Sequence, residues 1–186
     1  YNFTDLQNTT GVIYIVRDPR NVVSSYSNHY QKTIDQSVKD LNENLEIRQS
    51  INDKLPVFIG SWKFHYNSWK QLKSLNKYLL VKYEDLLSDT EKTFLNILEF
   101  VKEVSGAQIE IDRDKIHKVI NNTSFSNIKK LEDKFGFKEA KKDKNGKIIN
   151  FFNLGPKNNW KNSLSNETIK KVETYFADEM KEIGYL

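Results

Sequence analysis

The sequence predicts an α/β fold with parallel strands, and three observations carry that reading. Gly11 to Val16 is a short, nearly continuous apolar run of isoleucine and valine, which reads as a buried strand. Tyr78 to Lys82 is a second run of the same kind. Between and after them apolar residues recur at helical spacing, and strands separated by helices pair in parallel.

The elements follow in order. The first strand stops at Arg17, and Asp18-Pro19 supplies an N-cap followed by proline in the first helical position. A helix then runs to about Gln31, with Val22, Val23, Tyr26 and Tyr30 on its packed side. Ile34, Val38, Leu41, Leu45 and Ile51 mark a second amphipathic helix, polar on its other face. Pro56 separates it from a third, in which Phe58, Trp62, Trp69 and Leu72 recur at helical spacing.

After the second strand a capped helix spans about Thr90 to Glu103, with Phe94, Leu95, Ile97, Leu98 and Val101 inward and Gly106 past its end. Asp112 or Asp114 opens a short helix ending near Asn121, and another begins close to Ser124. The lysine-rich segment after it and Phe151 to Lys161 read as loop. A closing helix runs from about Asn166 to Ile183 on Ile169, Val172, Phe176 and Met180, with Gly184 as its stop.

Length and composition bound the function. A chain of 186 residues suits one domain with a sizeable core, or a piece of something larger. No window approaches ~18 consecutive apolar residues, so no membrane span is predicted. With no cysteine there is no disulfide framework and no thiolate metal site, which fits a reducing, cytoplasmic setting. Residue 1 is tyrosine, the sole methionine is Met180, and two strands are few for such a sheet. These features lead to the expectation that further strands precede Tyr1.

The net charge of +4 is local. Eight lysines between Lys129 and Lys147 face only Glu132, Asp133, Glu139 and Asp143. That segment holds no arginine, and Phe135 and Phe137 are its only aromatics, so a solvated loop with an Asn145-Gly146 turn is preferred over a nucleic-acid surface. Arginine is the more informative residue. Only four of the 29 basic side chains are arginine, namely Arg17, Arg20, Arg48 and Arg113, and the first two share one tetrapeptide.

The junction of strand, Arg17-Asp18-Pro19 and helix is the sharpest candidate site. In open α/β sheets ligands bind beyond the carboxyl ends of strands, and helix N-termini suit phosphate. Arg17 at the strand end and Ser25 two turns into the helix are the pair of donors that phosphate oxygens need. The alternative is that Arg17 pairs with Asp18 or a helix carboxylate for structure alone. His29, His65 and His117 have the residue type of a general base, but His29 and His117 have no carboxylate partner legible in sequence and His65, in the tryptophan-rich helix, fits a structural role better.

Five segments together resemble the cytosolic sulfotransferase family. Val12-Ile13-Tyr14-Ile15-Val16-Arg17-Asp18-Pro19-Arg20-Asn21-Val22-Val23-Ser24-Ser25-Tyr26 resembles its 3′-phosphate-binding strand, loop and helix. Gly60-Ser61-Trp62 with His65, Ser68 and Trp69 resembles its tryptophan helix, and Tyr83-Glu84-Asp85-Leu86 its Tyr-Glu-Asp-Leu strand end. Asn122-Thr123-Ser124-Phe125 with Ile128-Lys129 resembles the segment that clasps adenine. Gly155 followed by Trp160-Lys161-Asn162 resembles the C-terminal loop, Arg-Lys-Gly and then Gly-Asp-Trp-Lys-Asn.

The resemblance implies a three-layer, P-loop-like sulfotransferase fold in a single domain over residues 1–186. It implies transfer of a sulfuryl group from 3′-phosphoadenosine 5′-phosphosulfate to a small-molecule or carbohydrate hydroxyl or amine, without a metal. Arg17 and Ser25 would hold the 3′-phosphate, Tyr83, Thr123, Ser124 and Phe125 the adenine, and Gly155 would offer its backbone amide. Tyr83 and Phe125 serve equally well as core residues, Thr123-Ser124 as a helix cap, and Trp62, Trp69 and Trp160 fit the core better than the cofactor.

Departures from the family pattern are as clear. Asn153 and Leu154 stand where the family has arginine and lysine, with Lys157 the nearest cation to compensate. The family's first strand, its lysine-bearing 5′-phosphosulfate loop and its catalytic histidine are expected upstream of Tyr1, so the chain alone is expected to be inactive. Exposed sheet surface is then expected to favour self-association. The rival readings are a nucleotide kinase relative and a basic, non-enzymatic binding module.

Overall fold

Val12–Val16 forms strand β1, because alternating β-branched and aromatic residues fit a pleated, half-buried surface. The computed structural model describes residues 7–43, 47–48, 57–58, 60–75, 77–108, 110–143 and 145–186. Helix α1 (Pro19–Tyr30) starts at the predicted cap, with the Asp18 carboxylate accepting from Arg20 N, and ends at Gln31 in the left-handed region. Helix α2 (Ile34–Asn42) is capped by Thr33. Its buried Asp40 accepts from Lys32 and Gln36.

The second helix stops earlier than its periodicity suggested. Leu45, Ile51 and Pro56 lie outside the described residues, and β2 (Ile47–Arg48) instead pairs antiparallel with β3 (Val57–Phe58). Phe58 is therefore a strand residue, and α3 covers only Trp62–Lys70 before a 3₁₀ turn at Gln71–Leu75. Strand β4 (Tyr78–Lys82) leads directly into α4 (Tyr83–Ser88), so Tyr83 opens a helix. Then follow α5 (Thr90–Ser105), capped by Asp89 and ended by Gly106 at φ 64°, and α6 (Arg113–Asn122), capped by Asp112.

Helix α7 (Phe125–Phe135) takes up the start of the lysine-rich segment, and a β5 (Lys141–Lys142), β6 (Ile148–Ile149) hairpin takes up its end. The hairpin turns where Asn145-Gly146 predicted, with the Asp143 side chain accepting from the backbone of Asn145 and Lys147. The region expected to be loop also contains a 3₁₀ turn at Gly155–Lys157 and the short α8 (Trp160–Ser163). The closing helix is two helices, α9 (Asn166–Tyr175) and α10 (Ala177–Ile183), broken at Phe176 and stopped by Gly184.

The described residues form two compact units. The first comprises Tyr1–Arg17 and Ser68–Lys134. In it β1 and β4 pair in parallel, from Val12 opposite Tyr78 to Val16 opposite Lys82. One face of β1 buries Val12, Tyr14 and Val16, while Ile13 and Ile15 on the other are open, Ile15 by 55%. This corrects the strand expected to be buried on both faces. Helix α5 lies close to the chain at Gly11, where a Cβ would come within 2.8 Å of Val104 and 3.2 Å of Phe100, and it buries none of its own residues completely.

The second unit comprises Asp18–Asn67 and Phe135–Leu186. Its core is Val23, Val38, Leu164, Val172, Phe176 and Met180, with Trp62, Trp160 and Ile169 packed around them. Trp62 meets Phe176 at 5.1 Å between ring centroids. Two of the tryptophans expected in a core thus lie against this one. No helix among the described residues is long and apolar enough to cross a membrane.

Candidate functional site

Within the first unit, Arg17 directly follows β1 and Tyr83 directly follows β4, so parallel pairing of Val16 with Lys82 brings the two side chains together. The Arg17 guanidinium lies over the Tyr83 ring, 4.3 Å from its centroid, a cation–π contact. Its Nε is buried and has no hydrogen-bond partner among the described residues. Arg17 is thus oriented by an aromatic face and carries an unused donor at the carboxyl end of a strand. The alternative pairing with Asp18 is not what the structure shows.

Thr123 and Ser124 divide between two helices. Thr123 ends α6, and its hydroxyl donates to Val119 O at 2.7 Å, so that oxygen retains acceptor capacity only. Ser124 O accepts from the backbone of Asn127 and Ile128, and its hydroxyl meets that of Ser126 at 3.3 Å. Ser124 therefore precedes α7 in the expected cap position, but among the described residues its side chain makes no bond to the backbone. Phe125 is half-buried as the first residue of α7.

Within the second unit, the carboxylate of Asp18 belongs to Arg20, a residue to which the sequence assigned no role. Arg20 Nη2 and Nε lie 2.7 and 2.9 Å from Asp18, Nη1 lies 2.6 Å from Glu173, and Nη2 also donates to Tyr185 O at 2.9 Å. The indole of Trp160 covers the guanidinium at 4.0 Å. Burial lowers the pKa of Arg20, but the bonds and charges of Asp18 and Glu173 outweigh it and raise the value above the ordinary one.

Ser25 is exposed on α1, and its hydroxyl oxygen meets Asn158 Nδ2 at 2.9 Å. The same amide nitrogen donates to Asn21 O at 2.9 Å, and Trp160 N donates to Asn21 Oδ1 at 2.9 Å. The segment from Asn158 to Trp160 is thus fastened to the first turns of α1. Gly155, three residues before Asn158, has φ 51° and begins the 3₁₀ turn. Lys157, proposed as a compensating cation, is exposed in that turn.

The histidines fall into different settings. His117 Nε2 lies 3.1 Å from Glu91 Oε2 on neighbouring helices, so a carboxylate partner exists that the sequence did not reveal. His65 lies on the exposed side of α3. His29 packs edge-on against Tyr30 at 4.6 Å and Phe151 at 5.5 Å. Its pKa is lowered by burial and by the charge of Lys141, with Glu139 opposing. No group of three or more metal-ligating side chains occurs among the described residues.

The His29 shift has a sign that can be tested. Unfolded histidine binds its proton near pH ~6.5, and the folded value is lower. Stability from this group is therefore present above that pH and lost as pH falls through the folded value. Urea midpoints should drop from pH 7.5 to pH 5, and drop less in His29→Phe. An equal drop in both proteins would count against this assignment.

Comparison with known proteins adds the context. The profile of the family described as Sulfotransferase domain matches residues 5–184. Mouse sulfotransferase 2A6 is 27% identical over 169 residues, covering 91% of this chain and 56% of that protein. Rat sulfotransferase 2A1 is 28% identical over 170 residues, with the same coverage. The chain therefore spans just over half the length of these curated relatives. Among solved structures, mouse sulfotransferase SULT7A1 complexed with PAP superposes with a TM-score of 0.64 at 21% identity, covering 92% of this chain and 58% of that one. A retinol dehydratase solved with retinol and PAP gives 0.62 at 18% identity, covering 92% and 48%. These structural likenesses show the fold.

Proposed function

The chain belongs to the sulfotransferase domain family, and we propose that the protein transfers a sulfuryl group from 3′-phosphoadenosine 5′-phosphosulfate to an acceptor hydroxyl or amine. In this reading the chain supplies contacts to the 3′-phosphate and adenine of the nucleotide. Arg17 carries the proposal, because its guanidinium is held against Tyr83 with a buried, unused Nε donor at a strand end. The family motif puts an arginine for the 3′-phosphate at that place.

The remaining roles follow the same motif. Ser25 is assigned to the 3′-phosphate, Thr123, Ser124 and Phe125 to adenine, and Gly155 to a backbone contact. Tyr83 is assigned first to orienting Arg17 and only through that contact to the nucleotide. No residue among the 186 is assigned as catalytic base or as the lysine at the leaving phosphate. Those groups, the first strand and the 5′-phosphosulfate loop are proposed to lie outside this chain, which would leave it inactive alone. Without such groups a bound nucleotide is positioned and its 3′ charge neutralised, which is the positional part of an in-line transfer.

The acceptor is proposed to be a small molecule or carbohydrate, in a reducing, cytoplasmic compartment. The open Ile13 and Ile15 face supports self-association of this chain. Calorimetric titration with 3′-phosphoadenosine 5′-phosphate and with ATP tests the reading. Preference for the 3′-phosphorylated nucleotide is expected. Preference for ATP would favour a nucleotide kinase relative and overturn the proposal.

A further inference from the structure

We infer that Asn158 is a positioning residue for the hydroxyl of Ser25, which fixes the direction in which that hydroxyl can donate. The inference rests on the functional reading above for the identity of the ligand. Its geometry comes from within one unit of the structure.

Asn158 is 6% exposed, and its Nδ2 has two partners, Asn21 O and Ser25 Oγ, each at 2.9 Å. A backbone carbonyl accepts and never donates, so the contact with Asn21 requires the amide nitrogen on that side. Turning the amide over would set Asn158 Oδ1 against Asn21 O, lone pair to lone pair. One hydrogen of the NH₂ therefore goes to Asn21, and the second goes to Ser25. Oδ1 has no hydrogen-bond partner among the described residues, so the two N–H bonds alone orient the side chain.

The consequence for Ser25 is specific. Its oxygen already accepts from Asn158, so its own proton must point elsewhere, and Asn158 is its sole hydrogen-bond partner among the described residues. Ser25 is exposed, so the proton points to where a ligand can reach it. With one lone pair of Ser25 engaged by Asn158, its proton is left for an acceptor, and an anionic oxygen is what such a donor suits. The segment that bears Asn158 is held in register by Trp160 N to Asn21 Oδ1 and by the stacking of Trp160 on Arg20. At this place the resembled loop has Gly-Asp before its tryptophan, whereas this chain has Asn158-Asn159, so the device belongs to this sequence.

Calorimetric titration of the 186-residue chain with 3′-phosphoadenosine 5′-phosphate and with adenosine 5′-phosphate, which lacks the 3′-phosphate, tests the inference. Asn158→Ala should weaken binding of the first about fivefold and leave the second unchanged, on the scale of one hydrogen bond. Asn158→Asp should weaken it about thirtyfold or more, because a carboxylate captures the Ser25 proton and adds a negative charge. The Asn158→Ala loss should vanish in a Ser25→Ala background, and the Asn158→Asp loss should shrink there to the part its added charge contributes. Asn158→Gly, the residue of the resembled loop, repeats the test if the alanine variant does not fold.

Several results would overturn it. If Asn158→Ala or Asn158→Gly costs as much without Ser25 as with it, Asn158 does not act through that hydroxyl. Unchanged binding in Asn158→Asp removes the inference as well. Binding of the 3′-phosphorylated nucleotide that depends on Arg17 but ignores Asn158 refutes the inference alone. No binding by the unaltered chain, or binding indifferent to Arg17→Ala, refutes the functional reading and the inference with it.

Discussion

Replacing Arg17 by alanine is expected to weaken binding of 3′-phosphoadenosine 5′-phosphate about 100-fold, while adenosine 5′-phosphate is bound as before. Charge-assisted hydrogen bonds contribute about 1.5–3 kcal/mol, and each 1.4 kcal/mol is tenfold in affinity. Two features of the structure put Arg17 at the upper end of that range. The Tyr83 ring at 4.3 Å holds the guanidinium in one orientation, so little further ordering is needed when a phosphate arrives. The buried Nε has no partner among the described residues, so a phosphate oxygen there would satisfy a donor that is otherwise unsatisfied.

Two companion variants separate charge from geometry. Arg17→Lys keeps the charge but loses the planar fork, and should recover only part of the affinity. Tyr83→Ala keeps the arginine and removes its platform, with an expected loss of about three- to fivefold, on the scale of an exposed cation–π contact. Calorimetry gives the affinities, and thermal denaturation controls for folding. Binding by Arg17→Ala within about threefold of the unaltered chain would remove Arg17 from the phosphate site.

What the sequence disclosed and what it concealed follow from the range of the interactions concerned. Asp18-Pro19, Gly106 and Gly184 act on their immediate neighbours, and each stands at the helix boundary its chemistry implies. Both five-residue strands were legible because a β-branched run needs no partner to be recognised. The break at Phe176 was hidden, since the apolar spacing of Val172, Phe176 and Met180 continues across it unchanged. The β2–β3 pair was hidden for the opposite reason. Two residues per strand are too few to show a period, and pairing across eight intervening residues leaves no local mark.

The candidate site divides in the same way. Scarcity of arginine singles out Arg17 and Arg20 together, but in sequence Asp18 offers itself only as an alternative partner of Arg17. The fold gives Asp18 to Arg20, because an N-cap carboxylate already faces the second helical residue and its side chain reaches back to the same oxygens. Asn158 meets Ser25 across 133 positions, and His117 meets Glu91 between α5 and α6. Neither pair has a signature at sequence level. An asparagine in a polar stretch and a histidine on a charged helix look like ordinary surface residues until the chain is folded.

Arg20→Met is expected to destabilise the protein by about 3–5 kcal/mol, the usual cost of leaving buried charge without its partner. Methionine keeps much of the length and volume, so the loss reads the charge network and not a cavity. Asp18 is buried and would retain its helix-capping bond from Arg20 N, but it would lose its three bonds from the guanidinium. Glu173 would lose its 2.6 Å partner and Tyr185 O its donor, and the face of Trp160 would lose its cation. Since folded proteins are stable by only about 5–15 kcal/mol, such a loss is a large share of the whole. Arg20→Lys should recover less than half of it, because one ammonium cannot serve Asp18, Glu173 and a carbonyl in the fork geometry. Adding Asp18→Asn to Arg20→Met removes the buried charge while keeping an oxygen that can cap α1, and should restore part of the stability. Urea denaturation at neutral pH measures all four proteins. A loss below about 1 kcal/mol in Arg20→Met, or no recovery in the double variant, would mean that the Asp18 carboxylate is solvated well enough without its arginine.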